Sequence, residues 1–562
     1  MLGHGGRPAA RECRGVDLNV AVALAAVAAA VPDREAIVAG DRRLTWAEVD
    51  ERTTRLAGAL LAAGVGDDVD ARPGAGPPWA SPHDHVGLLL HNGPAYLESM
   101  VGAWKARAVA FNLNYRFTPD ELVEVLADAS AVAVVAGGAL VATLAEALPR
   151  LPLVRLVLQV DDGSGAPLLP GAVDYEAAVA AATPDRPPVD PSPDDRYLLY
   201  TGGTTGRPKG VLWRQADFVV GCLGVDPAAT PASLADAAPH RGRLRVLPSA
   251  PFMHGAAHWN AFSAWLAGGT VVVQDRPDRF DPADVLATAA RERVTSLLVV
   301  GDAVGRPLLE EAGRGGHDLS HLRHLLTGGA VLSPSVKRAW AELVPGLGVV
   351  DLLGSSEAGR QGVSRTRGGD HPVGGRFSPA GGAAVLSADR TRLLAPGDPE
   401  LGWLATSGRV PLGYLGDPER TAATFPVVDG VRWAVPGDRA RFDADGTVVL
   451  AGRDAATVNT GGEKVFAEEV EVAVRSHPAV ADAVVVGRPS ERWGQEVVAV
   501  VEPRPGHAPP SVEDLRAWCD GRLARYKLPR AVVAVDRVTR QPSGKPDYAW
   551  ARRAAAGGAA PT

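Results

Sequence analysis

Two kinds of hydrophobic pattern alternate along most of the chain. Short, nearly continuous apolar runs such as "HVGLLLHN" (85–92), "AVAVVAG" (131–137), "LVRLVLQV" (153–160), "TSLLVV" (295–300) and "LRHLLTGGA" (322–330) predict buried strands. Between them, stretches such as "TPDELVEVLADA" (118–129), "DPADVLATAARER" (281–293) and "SPSVKRAWAELV" (333–344) space their apolar residues for one face of a helix. Strand and helix alternating in this way predict an α/β fold of stacked, mostly parallel sheets covered by helices. Beyond residue 452 the rhythm changes. "VEVAVRSHPAVADAVVVGRP" (470–489), "EVVAVVEPR" (496–504) and "SVEDLRAWCDGRLARYKLPRAVVAVDRV" (511–538) predict a compact β-α-β set. The expected organisation is a large domain over 1–452 and a small α+β domain over 453–562.

Loops rich in Pro, Gly and Asp punctuate the large domain at 67–84, 161–171 and 182–195. Near the N-terminus, Arg7, Arg11 and Arg14 precede the apolar run "VAVALAAVAAAV" (20–31), the outline of a secretory signal. Asp17 and Asn19 interrupt that outline, and strand, turn and amphipathic helix follow directly, so the run reads as a buried helix. No other apolar run approaches the ~20 residues of a membrane span.

Composition narrows the function classes. Of 562 residues, 46% are hydrophobic and 22% charged, and the net charge is −7, an ordinary globular balance. There is no basic stripe for nucleic acid. Cys13, Cys222 and Cys519 are too scattered for a disulfide framework or a zinc site, which fits a reducing cytoplasm. Among 58 basic residues only six are lysine: Lys105, Lys209, Lys337, Lys464, Lys527 and Lys545. Arginine substitutes easily on a surface, but not where a compact ammonium must reach a reacting group, so each retained lysine is a candidate for chemistry.

"RYLLYTGGTTGRPKG" (196–210) is an apolar strand opening into a flexible loop. Its glycines free backbone N–H groups to face an anion, Thr201, Thr204 and Thr205 add hydroxyls, and Lys209 adds a charge. A polyphosphate cradle and a simple tight turn both fit. The spacing is not that of the Walker loop.

The order of further motifs resembles the adenylate-forming enzymes, the superfamily of acyl-CoA synthetases, firefly luciferase and nonribosomal-peptide adenylation domains. "YTGGTTGRPKG" (200–210) is followed by "TGGA" (327–330), "GSSEAG" (354–359), "GYLGDPERTAATF" (413–425), "VPGDRA" (435–440), "GRDAATVNTGGEKVFAEEVE" (452–471) and "PSGKPDY" (542–548). The resemblance spans about Asn19 to Tyr548. It implies that a carboxylate attacks the α-phosphate of ATP, pyrophosphate leaves, and a thiol opens the acyl-adenylate. Both steps build negative charge, which calls for fixed cations and a metal ion.

By that resemblance, Thr201, Gly202, Gly203, Thr204, Thr205, Gly206 and Ser356 would surround the phosphates beside Lys209, and Glu357 with Thr205 would hold Mg²⁺. Asp438 would accept from both ribose hydroxyls and Arg453 would support the ribose. Gly328, Gly329 and Ala330 would leave room beside adenine and the acyl entry. Lys545, presented by the turn of Pro542, Ser543 and Gly544, would contact carboxylate and α-phosphate. The small domain would then rotate, removing Lys545 and bringing Gly461, Gly462 and Lys464 to a tunnel for the pantetheine of CoA. Two positions depart from the pattern: Ala455 replaces the hinge aspartate, and Leu353 an aromatic beside adenine. Lys105 and Lys337 fall outside the motifs and are expected on helix surfaces.

"PFMHGAAHWNAFSAWLAGGTVV" (251–272) corresponds to the helix lining the acyl pocket, with His254, His258, Trp259 and Phe262 as candidates. It holds no carboxylate for an amino group. The wording of the C-terminal motifs resembles bacterial ligases for fatty acids and steroid-derived acids, which implies a hydrophobic acid substrate and CoA, or alternatively a carrier-protein phosphopantetheine, as acceptor. A luciferase-type oxidase and an inactive nucleotide-binding scaffold are the remaining readings.

Overall fold

The computed structural model describes residues 17–66, 76–185, 187, 189–201, 208–241, 243–368, 370, 374–453, 456–460, 463–490, 493–520, 522–523, 525–541 and 544–557. Its largest sheet is built around six parallel strands in the order Glu35–Ala39, Thr270–Val273, Arg245–Pro248, Ser296–Val299, His324–Gly328 and Gly348–Ser355. The sheet then continues antiparallel through Gly359–Thr366, Arg376–Pro379, Val448–Arg453 and Asp438–Phe442. A second, wholly parallel sheet joins Val109–Asn112, His85–Leu89, Ala131–Gly137, Leu156–Val160 and Val173–Asp174.

Helices cover these sheets where local chemistry starts them. Thr118 and Glu121 form a reciprocal capping box with proline in the first turn of the helix Pro119–Asp128. Asp281 caps Pro282–Arg291. The alanine-rich run forms the helix Val20–Ala30, capped by the Asn19 side chain and packed against the helices Trp46–Ala62 and Pro231–Arg241. Among the described residues, no helix is long and apolar enough to cross a membrane.

A small C-terminal domain carries a separate sheet of Glu463–Phe466, Thr457–Thr460, Gly494–Pro503 and Val480–Ser490, with Ala531–Ala534 added in parallel. Val458, Val470, Val485, Val497 and Leu515 fill its core. Ion pairs cross to the large domain: Arg475 lies 3.7 Å from Asp302, both nearly fully buried, and Arg504 lies 3.5 Å from Glu310.

Two lysines differ from expectation. Lys105 and Lys337 are buried, not on helix surfaces. Lys105 ends the helix Pro94–Lys105, which packs on Trp46–Ala62, and its ammonium reaches Asp50 Oδ1 at 2.6 Å and Thr54 at 2.8 Å. Lys337 pairs with Asp351 at 2.5 Å. Each is held by partners that satisfy the charge once the stem is covered.

Candidate active site

The parallel strands of the main sheet end on a cleft of about 2850 Å³. Ser355–Glu357, Gly328–Ala330, Val300 and His254 all follow strand ends and line it, the position at which open α/β sheets bind ligands. Lys209, Asp438 and Lys545 line the same cleft.

At one end of the cleft, Arg196–Thr201 and Lys209–Arg214 form an antiparallel pair with Thr201 opposite Lys209. Gly202, Gly203, Thr204, Thr205 and Gly206, the loop between them, lie outside the described residues. The strand Gly413–Tyr414 adds to the hairpin, which delivers the Tyr414 hydroxyl between two charges. Lys209 Nζ donates to Tyr414 Oη at 2.7 Å and lies 3.0 Å from Glu357 Oε1, to which Tyr414 donates at 2.9 Å. Burial first, and the Glu357 charge second, push the Tyr414 phenol well above its ordinary value, so it stays a donor. Trp213, on the same strand as Lys209, donates to the Ser356 carbonyl at 3.0 Å and fixes the "GSSEAG" turn. Sequence reading passed over Tyr414, although "GYLGDPER" was among the motifs.

Asp438 opens its strand opposite Arg453 and is buried against the cleft. Gly328 ends its strand in close quarters, since a Cβ there would stand 3.2 Å from the Leu352 carbonyl oxygen and the backbone would have to give slightly. Gly329 adopts φ +79°, a left-handed conformation natural to glycine. Ala330 and Leu353 also line the cleft.

Lys545 arrives from the small domain on a tight turn. Arg540 grips Asp482 through two 2.6 Å bonds, Gln541 N donates to the Lys545 carbonyl at 2.9 Å, and Gly544, at φ +77°, closes the turn against Val300. The lysine stem then reaches Gly329, where a Cβ would sit 3.6 Å from Lys545 Cε. Pro542, Ser543, Gly461, Gly462 and Ala455 lie outside the described residues, as do the side chains of Arg453 and Lys464.

Farther along the cleft, His254 precedes the helix Gly255–Leu266 and its buried Nε2 has no hydrogen-bond partner among the described residues. Burial, then the Lys545 charge, lower its pKa to about 3, so a neutral ring faces the cleft. Trp259 lines the cleft and donates to Tyr197 at 2.7 Å. His258 and Phe262 do not reach the cleft. His258 is 1% exposed, with Nε2 2.5 Å from the Tyr197 hydroxyl and Nδ1 2.7 Å from the Phe252 carbonyl, so both ring nitrogens serve the core. Phe262 packs against Trp104 and Trp265. Their signal was the correspondence of 251–272 to the helix lining the acyl pocket, which does not say which of its residues face the pocket.

Known proteins match along this whole arrangement. Residues 24–415 match the AMP-binding enzyme family and residues 469–545 the AMP-binding enzyme C-terminal domain. The chain is 48% identical over 541 residues to the medium-chain acyl-CoA ligase Mig of Mycobacterium avium, covering 95% of this chain and 97% of that protein. It is 36% identical over 552 residues to a 3-oxocholest-4-en-26-oate–CoA ligase of Rhodococcus rhodochrous, covering 95% of each. The fold is similar to the anthranilate CoA ligase AuaEII solved with anthranoyl-AMP, with a TM-score of 0.79 and 22% identity across 96% of this chain and 98% of that one. With its matched segments spanning both domains and its cleft at the sheet's strand ends, the chain belongs to the AMP-binding enzyme family.

Proposed function

We propose that the protein is an acyl-CoA ligase that activates a hydrophobic carboxylic acid of medium or long chain, or a polycyclic one. The observation that carries this reading is the convergence of Lys545, on its turn from the small domain, with Gly329, His254 and the Lys209–Tyr414–Glu357 cluster in one cleft. An acid carboxylate beside Lys545 is oriented toward the α-phosphate, and its oxygen displaces pyrophosphate to form the acyl-adenylate. The CoA thiol then attacks the acyl carbon, giving thioester and AMP.

Lys209 offsets charge on the departing phosphates, and Tyr414 holds its ammonium in place. Glu357, together with Thr205, would hold Mg²⁺; one carboxylate plus phosphate oxygens and water suits that ion. Bound there, Mg²⁺ neutralises phosphate charge. Asp438 takes the ribose hydroxyls and Arg453 supports them; Gly461, Gly462 and Lys464 serve the thiol step after the small domain turns at the hinge that carries Ala455. The buried Asp302–Arg475 pair holds the Lys545-in arrangement until then. Use of ATP and CoA places the reaction in the cytoplasm.

Acid-dependent pyrophosphate release, followed by thioester formation on addition of CoA, tests the reading. A carrier-protein ligase would release pyrophosphate yet leave CoA unacylated, and a scaffold would do neither.

A further inference from the structure

Most charges around the cleft are matched. Lys209 faces Glu357, Lys337 faces Asp351, Arg475 faces Glu471, and Arg540 faces Asp482. Three cleft-lining arginines, Arg338, Arg365 and Arg360, are exposed and their side chains make no hydrogen bond or ion pair with the described residues; of these, Arg360 lies against a glycine.

Its guanidinium nevertheless has a prepared seat. Gly224 adopts φ +71°, and a Cβ at that position would stand 2.2 Å from Arg360 Nη2 and 2.6 Å from its Cζ. Any residue but glycine would evict the group. The seat belongs to the acyl wall: the neighbouring Leu223 carbonyl accepts from Ser263 Oγ at 3.0 Å, and Cys222 and Leu223 line the cleft. Ser263 lies on the helix that starts beside His254, and nine positions at 1.5 Å per residue separate the two by about 13 Å. Arg360 is thus at the end of the acyl pocket remote from Lys545. One turn earlier on that helix, Asn260 also lines the cleft, and its buried side-chain oxygen has no partner.

We propose that Arg360, seated on Gly224, binds an acceptor oxygen at the far end of the acyl substrate, a ketone or a second carboxylate. The inference rests on the ligase reading and sharpens its substrate class to acids oxygenated at both ends. A wholly apolar pocket predicts the opposite preference, because burying an unpaired oxygen is costly. The sign of the preference therefore separates the two.

The test compares kcat/KM for pyrophosphate release with plain fatty acids from octanoic to dodecanoic, the same chains ending in a methyl ketone, and the corresponding dicarboxylic acids. At a matching length, the oxygenated acid is favoured about tenfold over the plain one, the scale of one hydrogen bond to a charged group. Arg360→Met brings that ratio to about one or below, Arg360→Lys restores part of it, and Gly224→Ala lowers it by displacing the guanidinium. A ketone preference identifies a neutral acceptor and a diacid preference a charged one. Ratios at or below one for the wild type at every length, or a ratio untouched by Arg360→Met, overturn the inference while leaving the ligase reading intact. Calorimetric titration of the same acids without ATP reads the preference independently of ligation, and equal affinities for plain and oxygenated acids overturn it.

Discussion

Replacing Tyr414 by phenylalanine removes one oxygen from the middle of the Lys209–Tyr414–Glu357 cluster, the proposed phosphate site. The ring stays packed, since Tyr414 is 1% exposed and leans on Phe425. Two hydrogen bonds disappear, one accepted from Lys209 at 2.7 Å and one donated to Glu357 at 2.9 Å. Bonds to charged groups are worth roughly 1.5–3 kcal/mol each. Here the lower end applies, because Lys209 and Glu357 keep their own 3.0 Å contact and retain 24% and 12% side-chain exposure. A combined loss of about 3 kcal/mol corresponds to a roughly 150-fold drop in kcat/KM for ATP. Stopped-flow pyrophosphate release at saturating acid reads this directly, and thermal unfolding separates it from lost stability. A variant with unchanged ATP kinetics refutes the reasoning, whether or not its Tm falls, because the hydroxyl would then brace the fold and not the site.

Three further outcomes follow from buried charges. Lys337→Met leaves Asp351 without its ammonium and costs about 3–5 kcal/mol in urea unfolding. Burial already raises the Asp351 pKa, so the deficit narrows as pH falls and the carboxyl protonates, and Lys337→Met with Asp351→Leu recovers most of the loss. His85 and His258 are held at about 4 by burial, against about 6.5 in the unfolded chain. The unfolded state therefore takes up protons first, and stability is lost as pH falls from about 6.5 toward 4, by up to ~3 kcal/mol per histidine. Unfolding midpoints across that range check the slope, and His258→Gln flattens it. His254, held at about 3, stays neutral throughout, so His254→Gln leaves the acid limb of the pH–rate profile where it is.

The large-scale plan was legible because its signals are local and repeated. "AVAVVAG" is a strand over Ala131–Gly137 as its unbroken apolar run predicts, and the helices at 119–128, 282–291 and 334–343 fall within the stretches that their apolar spacing marks. Individual side-chain roles were less legible. Lys105 and Lys337 read as helix-surface residues, yet the first ends a helix buried along its length and the second lies on the buried face of its helix, where Asp50 and Asp351 meet them. His258 and Trp259 are adjacent on one helix and both bond the Tyr197 hydroxyl, yet only Trp259 lines the cleft. Tyr414 and Arg360 acquire meaning only when a third strand docks on the hairpin and when Gly224 opens a seat. Such contacts depend on tertiary approach, which periodicity does not encode.

The most direct measurement of the central account is single-turnover formation of acyl-adenylate with a fatty-acid substrate, comparing wild type with Lys545→Ala, followed by thioester formation from a supplied acyl-adenylate. The account predicts that adenylate formation collapses in the variant while the thiol step from supplied adenylate survives, since Lys545 touches the first reaction's site and leaves for the second. Equal adenylate formation in both proteins would contradict it.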